Sequence, residues 1–421
     1  MTGQEQQHAD VLVVGAGPAG LLAGIAAARE GARVVLLERK PDLGGKLPVT
    51  GGGRCNLSNT LPVRDVLHAL GRAGKPLRPA LQALDADGLR RMFDELGMAT
   101  FTPDGFHVYP VSESAGDVTA ALVDRAVEHG ITIQSRTETR RVLLADARVR
   151  GVATADGELA ASAVLLACGG AAWSSVGGCS CGYALARQCG HSVRDPLPAL
   201  APLITAEDWP GRLSGLSVAP TTVRVVVDGT TAATHSGAVL FTHRGLSGPA
   251  ILDGSGTVSE ALHAARQVHI DIDFRPDSPH EDWLSWFRSA RQSAGAKRVH
   301  KLLEDRLPRR LAHVLCETAG VPPEIPISRL TRQQRERLVL SMRRCRLTPA
   351  GTAGLDRAMV TRGGVSLQEI DSRTMASRIV TGLFFAGELL DVDGPCGGFN
   401  LRCAFATGHL AGLSAAAAAR A

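Results

Sequence analysis

The chain is poor in aromatic side chains, which make up 4% of its 421 residues. Proteins that bind single-stranded nucleic acid stack bases on such rings. The Arg-rich runs Arg306-Leu307-Pro308-Arg309-Arg310 and Arg343-Arg344-Cys345-Arg346 have none between their charges. They read as solvated helix faces, and no nucleic-acid partner is expected. The net charge of +5 is small for this length, yet compatible with anionic ligands. Long apolar runs are missing too. None reaches the roughly 18 residues of a membrane span, so no membrane partner is expected. Met1 to Asp10 is polar and reads straight into a strand, without the pattern of a secretion signal. The nine cysteines are odd in number and form no spaced framework, which excludes a disulfide scaffold and favours a reduced, cytoplasmic setting. Cys179-x-Cys181 with His191 lacks the second paired cluster of a zinc site, so no metal is expected.

Glycine, by contrast, is abundant at 47 residues and gathers in loops. Bare backbone of that kind can approach a phosphate. A chain of this length holds two or three domains.

Residues 10–15 form a short apolar run suited to a buried parallel strand, and Leu21 to Glu30 is an Ala-rich helix stopped by Gly31. Ala32 to Glu38 is a second apolar run. Between strand and helix lies Gly15-Ala16-Gly17-Pro18-Ala19-Gly20. In this setting G-x-G-x-x-G is a dinucleotide fingerprint. Gly15 makes the tight turn, Gly17 admits the pyrophosphate, and Gly20 lets helix and strand pack closely. The helix N-terminus faces the diphosphate. Glu38 ends the next strand about 20 residues on, placed for ribose hydroxyls. An acid there selects FAD or NAD over NADP.

The loop that follows decides for FAD. Gly44-Gly45-Lys46 and Gly51-Gly52-Gly53-Arg54-Cys55-Asn56 are two further glycine clusters that a plain NAD domain does not need. FAD, extended from adenosine to flavin, does. Arg54 suits a phosphate or a ring carbonyl, and Asn56 offers donor and acceptor. Strands are expected at 131–135, 141–144, 149–154 and 159–166, the last three as an antiparallel meander. Val142, on the first strand of the meander, joins the expected cofactor contacts, as does Gly169, beyond the last. Near the C-terminus Gly382–Glu388 is a strand running into Gly387-Glu388, then come Asp391, Gly397-Gly398 and a helix opened by Asn400-Leu401. Its N-terminus can stabilise negative charge on a reduced flavin.

Three long motifs make the pattern specific: Gly-Gly-Gly-Arg-Cys-Asn-Leu-Ser-Asn at 51–59, Leu-Phe-Thr-His-Arg-Gly-Leu-Ser-Gly-Pro at 240–249, and the run from Ala386 to Leu401. With them the chain resembles the bacterial HI0933-like flavoprotein family (BaiN-like and aminoacetone-oxidase-like proteins) from about residue 9 to 413. The resemblance implies an α/β fold: a glutathione-reductase-type, Rossmann-like FAD domain carrying an inserted β-plus-helical domain. It also implies FAD contacts at Glu38, Arg39, Lys46, residues 52–56 and the 387–401 segment, including Gly387, Glu388, Asp391, Gly398, Asn400 and Leu401. The chain departs from the pattern at Gly178-Cys179-Ser180-Cys181, at Cys396 and at Cys403.

The expected domains are 1–192 and 346–421 for FAD, with 193–345 inserted, β to about 278 and helical from about 279. The loop beyond the first βαβ unit has only Cys55, not the pair of a flavin disulfide reductase. Cys55, Cys396 and Cys403 suggest a thiol relay. His243 is a candidate general acid, and His107 and Tyr109 are candidates for a substrate wall. No second G-x-G-x-x-G exists, so NADH or NADPH would serve as a transient electron donor without a domain of its own. The function expected is an FAD-dependent oxidoreductase transferring hydride at flavin N5 to or from a small organic substrate, such as an enone. An amine oxidase using oxygen and a non-catalytic flavin-binding regulator are the alternatives, and a nucleic-acid-modifying flavoprotein is a weaker variant. The sequence leaves the oligomeric state open.

Overall fold

The computed structural model describes residues 8–421. Met1 to Gln7, most of the polar stretch read for a secretion signal, lie outside the described residues. The chain divides into two compact units, one of residues up to Leu197 with Met359–Ala421, the other Pro198–Ala358.

The first unit opens with β1 (Ala9–Val14), α1 (Pro18–Arg29) and β2 (Val34–Leu37). β1 is buried along nearly its whole length, as a central parallel strand covered on both faces must be. Then come α2 (Ala115–Glu128), β3 (Thr132–Gln134), β4 (Arg141–Ala145), β5 (Arg148–Ala153), β6 (Glu158–Leu166) and α3 (Cys181–Gln188). The sheet runs β3-β2-β1-β6-β5-β4. β1 sits between β2 and β6, with Val13 opposite Leu36 on one side and Leu165 on the other. β4, β5 and β6 form the expected antiparallel meander.

The second unit holds β7 (Leu203–Thr205), β8 (Ser217–Val227), β9 (Thr230–Thr242), β10 (Gly245–Ser247), α4 (Pro249–His263) and β11 (Val268–Asp273). Next are α5 (His280–Ser293), α6 (Arg309–Thr318), α7 (Arg332–Arg343), β12 (Cys345–Leu347) and β13 (Pro349–Thr352). Its sheet runs β12-β11-β8-β9-β10-β7-β13. Trp283, Phe287, Phe241 and Phe274 are buried in its core with Leu311, Leu315 and Leu338. The unit extends past residue 345 to Ala358 because β12 pairs with β11 and β13 with β7. These strands have three and four residues, too few for a clear alternating pattern in the sequence.

The chain returns to the first unit with β14 (Val360–Val365), β15 (Leu383–Phe385) and α8 (Phe399–Arg420). β15 pairs in parallel with β6, Phe384 opposite Leu165. α8 packs on α1 at very short range. A Cβ on Gly408 would collide with the carbonyl of Ala19, and one on Gly412 with that of Ala23. Two glycines one turn apart thus press the last helix onto the first. Among the described residues no helix is long and apolar enough to cross a membrane.

Candidate cofactor and active site

β1 ends at Val14, and the chain turns at Gly15 with φ of +105°. A Cβ there would stand 2.5 Å from the Ala167 carbonyl oxygen, so only glycine fits. Gly20 is packed against the Gly15 carbonyl, while Ala16 and Ala19 are buried beside it. Gly17 is different. It precedes α1 in extended conformation, no side chain caps it among the described residues, and a Cβ on it would meet nothing within 4 Å. Pro18 takes the first helical position, where its missing N–H costs nothing. Packed glycines build the turn, and the open one leaves room beside an uncapped helix N-terminus. That is the cradle a diphosphate requires.

Glu38 follows β2. Its carboxylate accepts the N–H of Ala16 at 2.9 Å and that of Lys40 at 2.9 Å, which fixes it at the lip of the glycine turn. Lone pairs remain for ribose hydroxyls. Arg39 reaches the carbonyls of Gly177 at 3.4 Å and Gly178 at 3.5 Å. Lys46 donates to the Met359 carbonyl at 3.2 Å and forms an ion pair with Glu388. The far side of the Glu388 carboxylate accepts the N–H and the hydroxyl of Thr361, both at 2.9 Å. Thr361 Oγ1 in turn accepts the N–H of Ala172 at 2.9 Å. Two residues expected as separate cofactor contacts are therefore one joined pair.

Gly52 and Gly53 close the tight turn Leu47–Gly53. Arg54 pairs with Glu113 and lies over the Tyr109 ring, 4.5 Å from its centroid. Asn56, with its amide oriented to suit its neighbours, donates to the Ser58 carbonyl at 2.8 Å and accepts the Gly398 N–H at 3.0 Å. Cys55 is fully buried, and burial pushes its thiol up to about 12. Cys403 is buried and shifted to about 12 for the same reason. Neither supplies a thiolate near neutral pH, which argues against the thiol relay.

From the other end of the chain, the Gly387 N–H donates to Thr407 Oγ1 at 3.0 Å, and Asp391 is held by Arg72 at 3.1 Å. Gly398 is left-handed and precedes α8 with no side-chain cap among the described residues. Asn400 clasps Gly394, accepting its N–H at 2.8 Å and donating to its carbonyl at 2.9 Å. Leu401 follows, half-buried. Gly169 lies just past β6, and a Cβ on it would meet nothing within 4 Å among the described residues. Val142 is buried in β4 opposite Val152. His243 is exposed in the turn between β9 and β10 of the second unit.

The strand His107–Pro110 joins this set. His107 pairs with Asn59, and a Cβ on Gly397 would sit 2.9 Å from Phe106 and 3.6 Å from His107 Nε2. His107 Nδ1 lies 2.5 Å from Asp104 Oδ2. That hydrogen bond holds the Asp104 carboxyl far below the usual carboxylate range. Three supporting residues carried no role in the sequence reading. Thr361 backs Glu388, and Asn59 donates to the Gly397 carbonyl at 2.9 Å. Arg402, buried in α8, donates to Asn59 Oδ1 at 3.2 Å and to the Leu61 carbonyl at 2.8 Å. Asn59 stood inside a recognised motif; nothing marked Thr361 or Arg402 apart from other Thr and Arg. Cys179 and Cys181, expected as thiols in a reduced setting, are joined by a disulfide. Among the described residues no group of three or more His, Cys, Asp or Glu is placed to hold a metal ion.

Residues 9–414 match the HI0933-like protein Rossmann domain. The chain belongs to the HI0933-like family. It is 32% identical over 408 residues to the 3-dehydro-bile acid delta(4,6)-reductase of Clostridium scindens, covering 96% of this chain and 98% of that one. It is 30% identical to the ribosomal RNA dihydrouridine synthase of Escherichia coli, covering 94% and 96%. A flavocytochrome c3 fumarate reductase shares the fold, with a TM-score of 0.54 at 18% identity, over 99% of this chain and 79% of that one. The family brings its class: the chain is an FAD-dependent oxidoreductase, and the cradle around Gly15–Gly20, Glu38 and Gly398 fits that cofactor.

Proposed function

We propose that the protein reduces a carbon–carbon double bond conjugated to a carbonyl in a small organic molecule, with FAD in the cradle of the first unit and NADH or NADPH as electron donor. The observation that carries this is the placement of His107, which stands with Asp104 against Gly397, beside the uncapped start of α8. Reduction of such a bond needs a hydride at one carbon and a proton at the other. Bound FAD supplies the hydride. The chain must hold the proton. Asp104 occupies Nδ1 of His107, so Nε2 is the nitrogen left to give or take it. The N-terminus of α8 favours the negative charge that accompanies electron gain. The relatives point the same way by their names. A 3-dehydro bile acid carries a 3-oxo group, and a delta(4,6)-reductase saturates double bonds conjugated with it.

The test is to mix the purified protein anaerobically with NADH, then NADPH, while following the flavin band. Bleaching by one of them, and reoxidation by a cyclic enone, supports the reading. A flavin that is never bleached by a nicotinamide, or that releases hydrogen peroxide with amines, overturns it in favour of an oxidase. A second reading rests on the Escherichia coli relative. Uracil also has a double bond conjugated to a carbonyl, and a uridine within RNA would be the acceptor. Mass spectrometry of RNA after incubation separates the two, because dihydrouridine carries two added hydrogens.

A further inference from the structure

We propose that Cys179 and Cys181 form a reversible thiol–disulfide site, reactive towards low-molecular-weight disulfides, whose redox state sets how tightly the neighbouring loop closes on FAD. The inference rests on the FAD cradle described above.

The two cysteines differ from the buried ones. Cys55, Cys189, Cys316, Cys345 and Cys403 are buried. Burial raises the thiols of Cys55, Cys316, Cys345 and Cys403 to about 12, leaving little thiolate to react. Cys179 and Cys181 are half-exposed, bonded to each other, and their Cα atoms are 5.4 Å apart, within the ordinary range for a disulfide. Exposed disulfides exchange readily, whereas buried ones resist reduction. A bridge spanning one intervening residue closes too small a loop to stabilise the fold much, so a purely structural purpose explains it poorly.

Its position supplies a purpose. The pair stands where the loop from Gly169 to Gly178 meets the first turn of α3. The Cys179 N–H donates to the Gly170 carbonyl at 2.9 Å, and the Cys181 N–H reaches Cys179 Sγ at 3.0 Å. Within the loop, the carbonyls of Gly177 and Gly178 receive Arg39. A Cβ on Gly177 would lie 3.5 Å from the Gly45 backbone. Arg39 follows Glu38, and Gly45 precedes Lys46, so this loop forms a wall of the cradle. Gly182, next to the pair, has no room for a side chain against Cys168 and Leu389. The start of α3 is thus fixed, and the disulfide ties the loop to that fixed point.

The chemistry balances with a disulfide RSSR as co-reactant. One cysteine thiolate attacks RSSR, forming a mixed disulfide and releasing RS⁻. The second thiolate attacks the mixed disulfide, forming the Cys179–Cys181 bond and releasing another RS⁻. Overall two protein thiols are oxidised and RSSR is reduced to two RSH. A dithiol reductant reverses the exchange.

The experiment uses the FAD-loaded protein, incubated with oxidised glutathione or with dithiothreitol. Alkylation and peptide mass mapping read the state of Cys179 and Cys181, and flavin fluorescence reads FAD dissociation. The expected result is conversion of this pair in the folded protein, with FAD bound at least about threefold more weakly in the dithiol form. The Cys179→Ser/Cys181→Ser variant should match the dithiol form under both treatments. A pair that stays in one state while the protein remains folded overturns the proposal, and so does equal FAD affinity of the two forms. If the double variant does not fold, the wild-type comparison still decides. Protein that never carries FAD would instead refute the cofactor assignment itself.

Discussion

Lys46 and Glu388, from opposite ends of the chain, form an ion pair in which each side chain is less than a fifth exposed, at 17% and 18%. Thr361 holds the carboxylate from behind through two hydrogen bonds. The pair joins the glycine loop after β2 to the segment after β15. Glu388→Gln or Lys46→Met should therefore loosen both walls of the cradle. Exposed pairs contribute up to about 1 kcal/mol and the loss of one partner of a buried pair about 3–5, so an intermediate loss of about 1–3 kcal/mol is expected. Fluorescence titration should show FAD affinity falling roughly five- to hundredfold. Unchanged affinity would separate the pair from the cofactor.

Glu38 should matter more directly. Glu38→Ala removes the acceptor for the Ala16 N–H and the group placed for the ribose. A hydrogen bond to a charged group contributes about 1.5–3 kcal/mol. The variant should fold, since the carboxylate is only half-buried, and should purify with little flavin by its visible spectrum.

His107→Gln tests proton delivery. FAD content and the flavin spectrum should be unchanged, because His107 stands at the rim of the cradle. The expected loss is in kcat, on the order of a hundredfold, with KM little altered. Asp104→Asn should give a smaller loss of the same kind. Full activity in the glutamine variant would remove His107 from the chemistry.

His191 should make stability depend on pH. Its buried ring contacts Glu369 at 3.1 Å and Ser377 at 2.7 Å, and burial lowers its pKa below 6.5 against the opposing pull of Glu369. The folded protein therefore binds this proton less readily than the unfolded chain. The stabilisation is present above the unfolded value and is lost as pH falls from there towards the folded value. Thermal unfolding followed from about pH 7.5 to 5 should show Tm dropping on acidification, with a shallower slope in His191→Gln.

Gly408→Ala and Gly412→Ala should each lower Tm. Alanine gains up to about 1 kcal/mol of helix propensity over glycine. The new methyl groups, however, meet the carbonyls of Ala19 and Ala23, backbone atoms that cannot rotate aside. Overpacking of that kind costs about 1–3 kcal/mol, so the clash wins. Denaturant midpoints with an unchanged m-value would confirm a native-state effect.

Much of the site was legible in the sequence because it is local. Gly15, Gly17, Gly20 and Glu38 fall within one βαβ unit, whose geometry is set by hydrogen bonding between adjacent segments. The meander at β4–β6 was readable from alternation and turns for the same reason. The partnership of Lys46 with Glu388 was not, since each residue satisfied its motif alone. Thr361 and Arg402 carry no motif, and their roles exist only because β14 and α8 lie where they do. Short β12 and β13 were hidden because three or four residues cannot show a period, and they held the chain in the second unit beyond residue 345.

The sequence by itself determined the dinucleotide turn, the uncapped helix that follows it and the family to which the chain belongs. These depend on residue type and spacing along a continuous stretch. Only the tertiary structure decided that His107 would stand against Gly397, that Lys46 would be neutralised by Glu388, and that Cys179 and Cys181 would meet beside a wall of the cradle. The physical reason is chain closure. Gly408 and Gly412 let α8 rest on α1 at backbone contact, bringing the last helix to the first. Contacts between such distant segments follow from packing, which no local spacing encodes.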